Sequence, residues 1–98
     1  MKDYKYSPKP TSVFKKDLKR VKKRGYNTEL LAEVIEILAI DDEVLDEKYL
    51  DHPLSGKYEG CRECHITPDW LLVYKKSDKT LFLYLMRTGT HADIFTQY

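Results

Sequence analysis

Ninety-eight residues, 17 Lys+Arg against 16 Asp+Glu and 42% hydrophobic side chains fit one small domain over residues 1–98, too short for two cores and too apolar to be disordered. The net charge of +1 argues against nucleic-acid binding by bulk charge, but it averages a sorted chain: residues 1–24 carry ten basic and two acidic side chains, 25–51 one and nine, 52–98 six and five. No apolar run approaches the ~18–20 residues that cross a bilayer, the opening Met1-Lys2-Asp3-Tyr4-Lys5 lacks the apolar region of a secretory signal, and a cytoplasmic chain with no membrane partner is expected.

Tyr4-Lys5-Tyr6-Ser7 alternates aromatic and polar residues and predicts a short first strand ended by Pro8 and Pro10. Thr11 or Ser12 then caps a helix. Its apolar positions Val13, Phe14, Leu18 and Val21 keep helical spacing, Lys15, Lys16, Lys19, Lys22 and Lys23 fill much of the remainder, and Gly25 ends it. The short Gly25-Tyr26-Asn27 turn sends a second helix back antiparallel, capped by Asn27 or Thr28, with an apolar stripe of Leu30, Leu31, Val34, Ile35 and Leu38. An acidic connector from Asp41 to Glu47 follows, then an irregular stretch marked by Pro53 and Gly56. Arg62 to Ile66, Leu71 to Lys75 and Leu81 to Met86 read as three strands, and Thr90 caps a final helical turn reaching Phe95. The predicted fold is α+β: a short N-terminal strand, an antiparallel helical hairpin covering one sheet face, a three-stranded antiparallel meander and a C-terminal helical turn.

Adjacent strands of a meander bring alternate strand ends to one edge. Here those positions are His65, then Asp69 and Trp70, then Arg87, with His91 just beyond. Imidazoles exchange protons near neutral pH, and a planar guanidinium can hold two phosphate oxygens. This set points to acid/base cleavage of an RNA phosphodiester without a metal or other cofactor, the 2′-OH serving as nucleophile. Trp70 and Phe95 are candidates to stack unpaired bases, and the lysines of the first helix are candidates to track phosphates.

Cys61-Arg62-Glu63-Cys64-His65 matches the c-type haem attachment pattern. In an extended strand, however, Cys61 and His65 point one way and Cys64 the other, so one metal or haem is a poor fit, and the thiols are expected to be a small core residue and a bystander.

Three stretches, Asp51-His52-Pro53-Leu54-Ser55-Gly56, Cys64-His65-Ile66-Thr67-Pro68-Asp69-Trp70-Leu71-Leu72-Val73-Tyr74 and Arg87-Thr88-Gly89-Thr90-His91-Ala92-Asp93-Ile94-Phe95, together resemble the YafQ-type toxins of bacterial type II toxin–antitoxin operons, within the RelE/ParE superfamily. The resemblance covers nearly the whole chain. It implies a ribosome-dependent mRNA endonuclease that inhibits translation and is neutralised by a co-encoded antitoxin; a toxin–antitoxin heterotetramer is among the assemblies it allows. It also implies that His52, His65, Asp69 and His91 form the acid/base group, that Arg87 stabilises the phosphate, that Phe95 orients the mRNA and that Trp70 holds a motif position with a supporting role. On that likeness one of Asp69, His65 or His52 is expected to take the 2′-OH proton, and His91 to protonate the departing oxygen. Two alternatives remain: a binding-only toxin of the gyrase-poisoning ParE branch, and a Cys/His metal or haem protein.

Overall fold

A computed structural model describes residues 3–95, so Met1, Lys2 and residues 96–98 of the expected domain lie outside the described residues. The element order is β1 (Ser7–Pro10), α1 (Ser12–Lys23), α2 (Thr28–Ile40), β2 (His52–Pro53), β3 (Arg62–Thr67), β4 (Trp70–Ser77), β5 (Phe82–Gly89) and α3 (His91–Phe95), with 3-10 turns at Glu47–Tyr49 and Gly56–Tyr58. The α+β architecture is the expected one. Among the described residues no helix is long and apolar enough to cross a membrane.

Both helix ends follow from local chemistry. The Thr11 hydroxyl accepts from the Phe14 N–H (3.1 Å) at the start of α1. At its end the N–H groups of Gly25 and Tyr26 return to the carbonyls of Lys22 and Val21, a Schellman closure that needs the φ of +84° at Gly25. Asn27 caps α2 through the Glu29 N–H (3.1 Å). Phe14 and Val21 of α1 and Leu31, Val34 and Leu38 of α2 are buried against Cys64, Leu72, Tyr74, Leu83 and Leu85 of the sheet. Each such side chain contributes roughly 1.5–3 kcal/mol of burial. Leu30, read as part of this stripe, instead lies exposed, one residue off the packed face.

The first strand departs from the sequence reading. It begins only at Ser7, the last residue of the predicted stretch, and it contains both prolines that were expected to end it. β1 is an edge strand parallel to β5, with Ser7 opposite Phe82 and Pro10 opposite Leu85. The N–H groups of Ser7 and Thr11 donate to Leu81 and Leu85 carbonyls (2.9 and 3.1 Å). Strand alternation therefore turns the nitrogens of Pro8 and Pro10 toward the open edge, where no donor is needed. Tyr6 is buried instead, with its hydroxyl 2.6 Å from the Asp42 carboxylate of the connector.

The sheet has five strands in the order β1-β5-β4-β3-β2, so the expected three-stranded meander is its centre. The segment read as irregular supplies the far edge: His52 pairs with Glu63 and Pro53 with Arg62. Asp51, just before it, accepts from the Tyr74 hydroxyl (2.6 Å) and from Arg62 Nε (3.2 Å), which fixes the short strand in place. Burial, then that bond to Asp51, pushes the Tyr74 phenol up.

On the sheet face away from the helices a smaller cluster of Cys61, Leu71, Val73 and Ile94 forms, joined by Leu54, Tyr58, Met86 and Phe95. The register of β4 and β5 slips by one residue at Met86: Val73 faces Arg87 while Tyr74 faces Leu85. Such a bulge re-aims side chains. Leu85 keeps its place under the helices while Met86 packs on the second face.

β5 turns into α3 at Gly89, whose φ is +149° and on which an added Cβ would lie 2.8 Å from Asp93 Oδ2. Gly89→Ala is therefore expected to lower stability by about 1–3 kcal/mol, read as a reduced urea midpoint at unchanged slope.

Candidate active site

Three strand ends meet at one rim. His65 lies near the end of β3, Asp69 occupies the β3–β4 turn and His91 opens α3 beyond β5; with Tyr26 and Thr90 they line an open groove of about 560 Å³. His65 Nδ1 lies 3.3 Å from the Pro68 carbonyl. Asp69 is exposed and its carboxylate has no ion pair or hydrogen bond to a side chain among the described residues.

His52 reaches the same rim from the edge strand, its ring centroid 6.4 Å from that of His65. Between them stands a residue that the sequence reading overlooked. The Glu63 carboxylate, 5% exposed, is 3.6 Å from His52 Nε2 and 3.5 Å from His65 Nε2. Buried carboxylates are unfavourable without cationic or donor partners. His52 Nδ1 in turn faces the Leu50 carbonyl at 2.8 Å. Each ring thus has an acceptor at both nitrogens, which a charged imidazolium can satisfy twice and a neutral ring once.

Arg87 occupies a different position from the one its strand-end location suggested. Its Nε and Nη2 grip Asp17 of α1 (2.7 and 3.2 Å), Nη2 also reaches the Asp93 carbonyl (3.3 Å), and Nη1 donates to the Tyr58 hydroxyl (3.0 Å). A guanidinium has five N–H groups, so a single Nη1–H remains uncommitted. The expected two-oxygen clamp on a phosphate is therefore corrected: that edge of Arg87 holds Asp17. The bond to Asp17 raises the Arg87 pKa against the opposing effect of burial, keeping the group charged. Asp17 is 1% exposed and also accepts from the Thr88 N–H (3.1 Å), so one carboxylate ties α1 to β5 directly beneath the rim.

α3 is held with similar economy. Thr90 and Asp93 cap each other, Asp93 N–H to the Thr90 hydroxyl (3.1 Å) and Thr90 N–H to Asp93 Oδ2 (2.9 Å). Arg24, just past α1, clamps the same carboxylate with two bonds of 2.6 and 3.0 Å. This fixes His91, which is exposed and stacks against Phe95 with ring centroids 4.7 Å apart. Phe95 is braced edge-on by Tyr58 at 5.8 Å.

Trp70 does not join the rim. It is 2% exposed in the large core, its indole N–H donates to the Thr88 hydroxyl (2.8 Å) and its ring meets Tyr26 at 5.0 Å. No face is left to stack a base, which corrects the base-stacking expectation and leaves the supporting one. The two cysteines lie on opposite faces of the sheet, Cys64 of β3 in the large core and Cys61, just before β3, in the small cluster. Cys61 is thus a packing residue too, contrary to the bystander expected, and burial raises both thiol pKa values. No group of three or more His, Cys, Asp or Glu side chains among the described residues is placed to hold a metal ion. Lys15, Lys16, Lys19, Lys22 and Lys23 are all exposed on α1, the helix whose C-terminal end Arg24 pins to α3.

Asp17, Glu63 and Tyr58 are the side chains that sequence reasoning missed. Asp17 had a signal: it lies three residues after Phe14 and four before Val21, within the buried spacing of an otherwise basic helix. Glu63 shares its strand face with His65 by simple alternation. For Tyr58, in a 3-10 turn, the chain offers no periodic cue.

Two outcomes follow from these ties. Asp17→Ala strands the partly buried Arg87 and the Thr88 N–H, so a loss of about 3–5 kcal/mol is expected in urea unfolding. The Asp93 carboxyl is held well below the usual carboxylate range, first by Arg24, with burial opposing and Thr90 adding. Its folded value lies below the ~3.9 of an unfolded aspartate, so its stabilisation is complete above that pH and is lost as pH falls through the folded value. Arg24→Gln is expected to melt lower than the parent at pH 7, with the gap narrowing below about pH 4.

With this geometry in hand, comparisons with known proteins agree on one relationship. The family model for YafQ, a bacterial toxin of type II toxin–antitoxin systems, matches residues 6–96. The mRNA interferase toxin YafQ of Escherichia coli strain K12 is 40% identical over 82 residues, 84% of this chain and 87% of that protein. The solved E. coli DinJ-YafQ toxin-antitoxin complex aligns at a TM-score of 0.84 and 35% identity, covering 94% of this chain and 99% of that one. A metal-bound toxin from Helicobacter pylori aligns at a TM-score of 0.84 and 40% identity, covering 92% and 99%. The chain therefore belongs to the YafQ family of bacterial toxins of type II toxin–antitoxin systems.

Proposed function

We propose that the chain is an mRNA interferase, an endoribonuclease that cuts translated mRNA on the ribosome and is silenced by a cognate antitoxin. The observation that carries this reading is the rim itself: His65, Asp69 and His91, from three separate chain segments, share one groove. The E. coli relative is named an mRNA interferase toxin, and its structure is known in complex with DinJ.

In this reading a ribose 2′-OH attacks the adjacent phosphate, the P–O5′ bond breaks and a 2′,3′-cyclic phosphate remains. Asp69, whose carboxylate has no side-chain partner among the described residues, takes the 2′-O proton, while His52 and His65, which flank Glu63, lie beside the phosphate. His91, held by Phe95 and by the Thr90–Asp93 cap, gives a proton to the departing 5′-oxygen. Arg87 contributes the one N–H that Asp17, Tyr58 and Asp93 leave available. General acid/base groups of this kind contribute about 10²–10⁴-fold each.

Primer extension on mRNA from cells expressing the chain is expected to reveal cuts that vanish when translation of that mRNA is blocked; cuts that persist would remove ribosome dependence from the reading. His91→Ala is expected to slow cleavage by about 10²–10⁴-fold with its melting temperature near the parent's. Arg87→Ala is unsuited to this test because it leaves Asp17 buried and unpaired. The lysine face gives a second outcome: replacing Lys15, Lys16, Lys19, Lys22 and Lys23 by Gln should weaken ribosome binding and flatten its salt dependence, by about one unit of log–log slope for each phosphate no longer neutralised. Unaltered binding at every salt concentration would make α1 merely a solvated face.

A further inference from the structure

The groove occupies one end of the second sheet face, and the other end carries a surface of its own. Leu83 and Leu85 are buried under the helices, so alternation places Phe82 and Tyr84 on the opposite face, the one that holds Met86 and the rim. Both rings are half-buried and belong to neither packed cluster. They meet edge to face with centroids 5.8 Å apart. Strand register sets an exposed lysine on each side of Tyr84: Lys9 on β1 and Lys75 on β4. Lys9 Nζ also sits 4.6 Å from the centre of the Phe82 ring.

A Lys–Tyr–Lys row across three strands sets the Cα atoms of two lysines about 10 Å apart, two inter-strand spacings. Neither ammonium has a carboxylate within ion-pair distance among the described residues. Like charges on one sheet face repel unless an anion joins them. An anion carrying flat rings fits both features, since phosphates suit the lysines and any base can stack on an aromatic face. The surface shares its sheet face with Leu71, which lines the groove. From Arg87 to Phe82 is roughly 15 Å along β5, and Tyr58, bonded to Arg87, stands at the rim end of this path.

We infer that Lys9, Phe82, Tyr84 and Lys75 form a binding track for single-stranded RNA. It rests on the nuclease reading above and deepens it: the track holds mRNA nucleotides flanking the one cut in the groove. It binds them through stacking and phosphate contacts and without regard to base, so any codon preference arises at the rim.

The test uses ribosomes programmed with a short mRNA and follows single-turnover cleavage against toxin concentration. The doubles Phe82→Ala with Tyr84→Ala, and Lys9→Gln with Lys75→Gln, are compared with the parent after thermal melting has established that each folds. Each is expected to raise the half-saturating concentration about 10-fold or more with the saturating rate within about twofold. An mRNA carrying 4-thiouridine beside the cut codon is expected to photo-crosslink to β5 of the parent. Unchanged half-saturation in both doubles, or crosslinks confined to ribosomal RNA, overturns the track while the nuclease reading stands. Loss of antitoxin binding with unchanged cleavage makes the face a protein-binding surface and also overturns it. A parent that cuts no mRNA overturns both.

Discussion

The interaction on which the site depends is the bond between Asp17 and Arg87. One carboxylate from the first helix and one guanidinium from the last strand meet out of water, 70 residues apart in sequence. Neither is tolerable there alone, and together they join the helical layer to the sheet just below the rim of the candidate site. The Thr88 N–H closes on the same carboxylate, and the Thr88 hydroxyl receives the Trp70 indole and donates to the Leu71 carbonyl. A buried polar chain thus runs from α1 through β5 to β4. It fixes the strand from which α3 and His91 depart.

Around this anchor the rim is assembled from groups whose own positions are over-determined. His52 is held by its backbone pairing and by Asp51 on Tyr74 and Arg62. His91 is held by a reciprocal cap and by Arg24. Acid/base chemistry gains from such pre-organisation, because groups already placed need little reorganisation as charge develops. The arrangement also alters the role of Arg87. With most of its donors committed internally, it is a fixed positive charge with one N–H uncommitted among the described residues.

The charge pattern has a structural meaning as well. The basic α1 does not sit remote from the groove; Arg24 at its end grips α3, and Asp17 within it grips Arg87. The exposed lysines therefore lie on the helix that is tied to both α3 and β5. The acidic connector is engaged elsewhere: Asp42 receives Tyr6 and Lys5, and the Asp41 carbonyl receives Lys76. Net neutrality is the sum of two oriented surfaces.

Much of this was legible in the chain. Apolar period, caps and turn residues determined the two helices, the three central strands and their order, and strand-end logic gathered His65, Asp69, Trp70 and Arg87, of which His65 and Asp69 line the groove together with His91. These are local properties, set by backbone sterics and by which side chains recur every two or three to four residues. Partnership was not legible. Whether Pro8 and Pro10 end a strand or lie along an open edge depends on which side β5 occupies. Whether Trp70 stacks a base or fills the core depends on Thr88 and Tyr26 lying beneath it. Whether Arg87 grips phosphate or Asp17 depends on how α1 packs. Burial and pairing are relations between distant residues, so the sequence determined which groups exist and in what order they come, and tertiary packing decided which of them face solvent with bonds to spare.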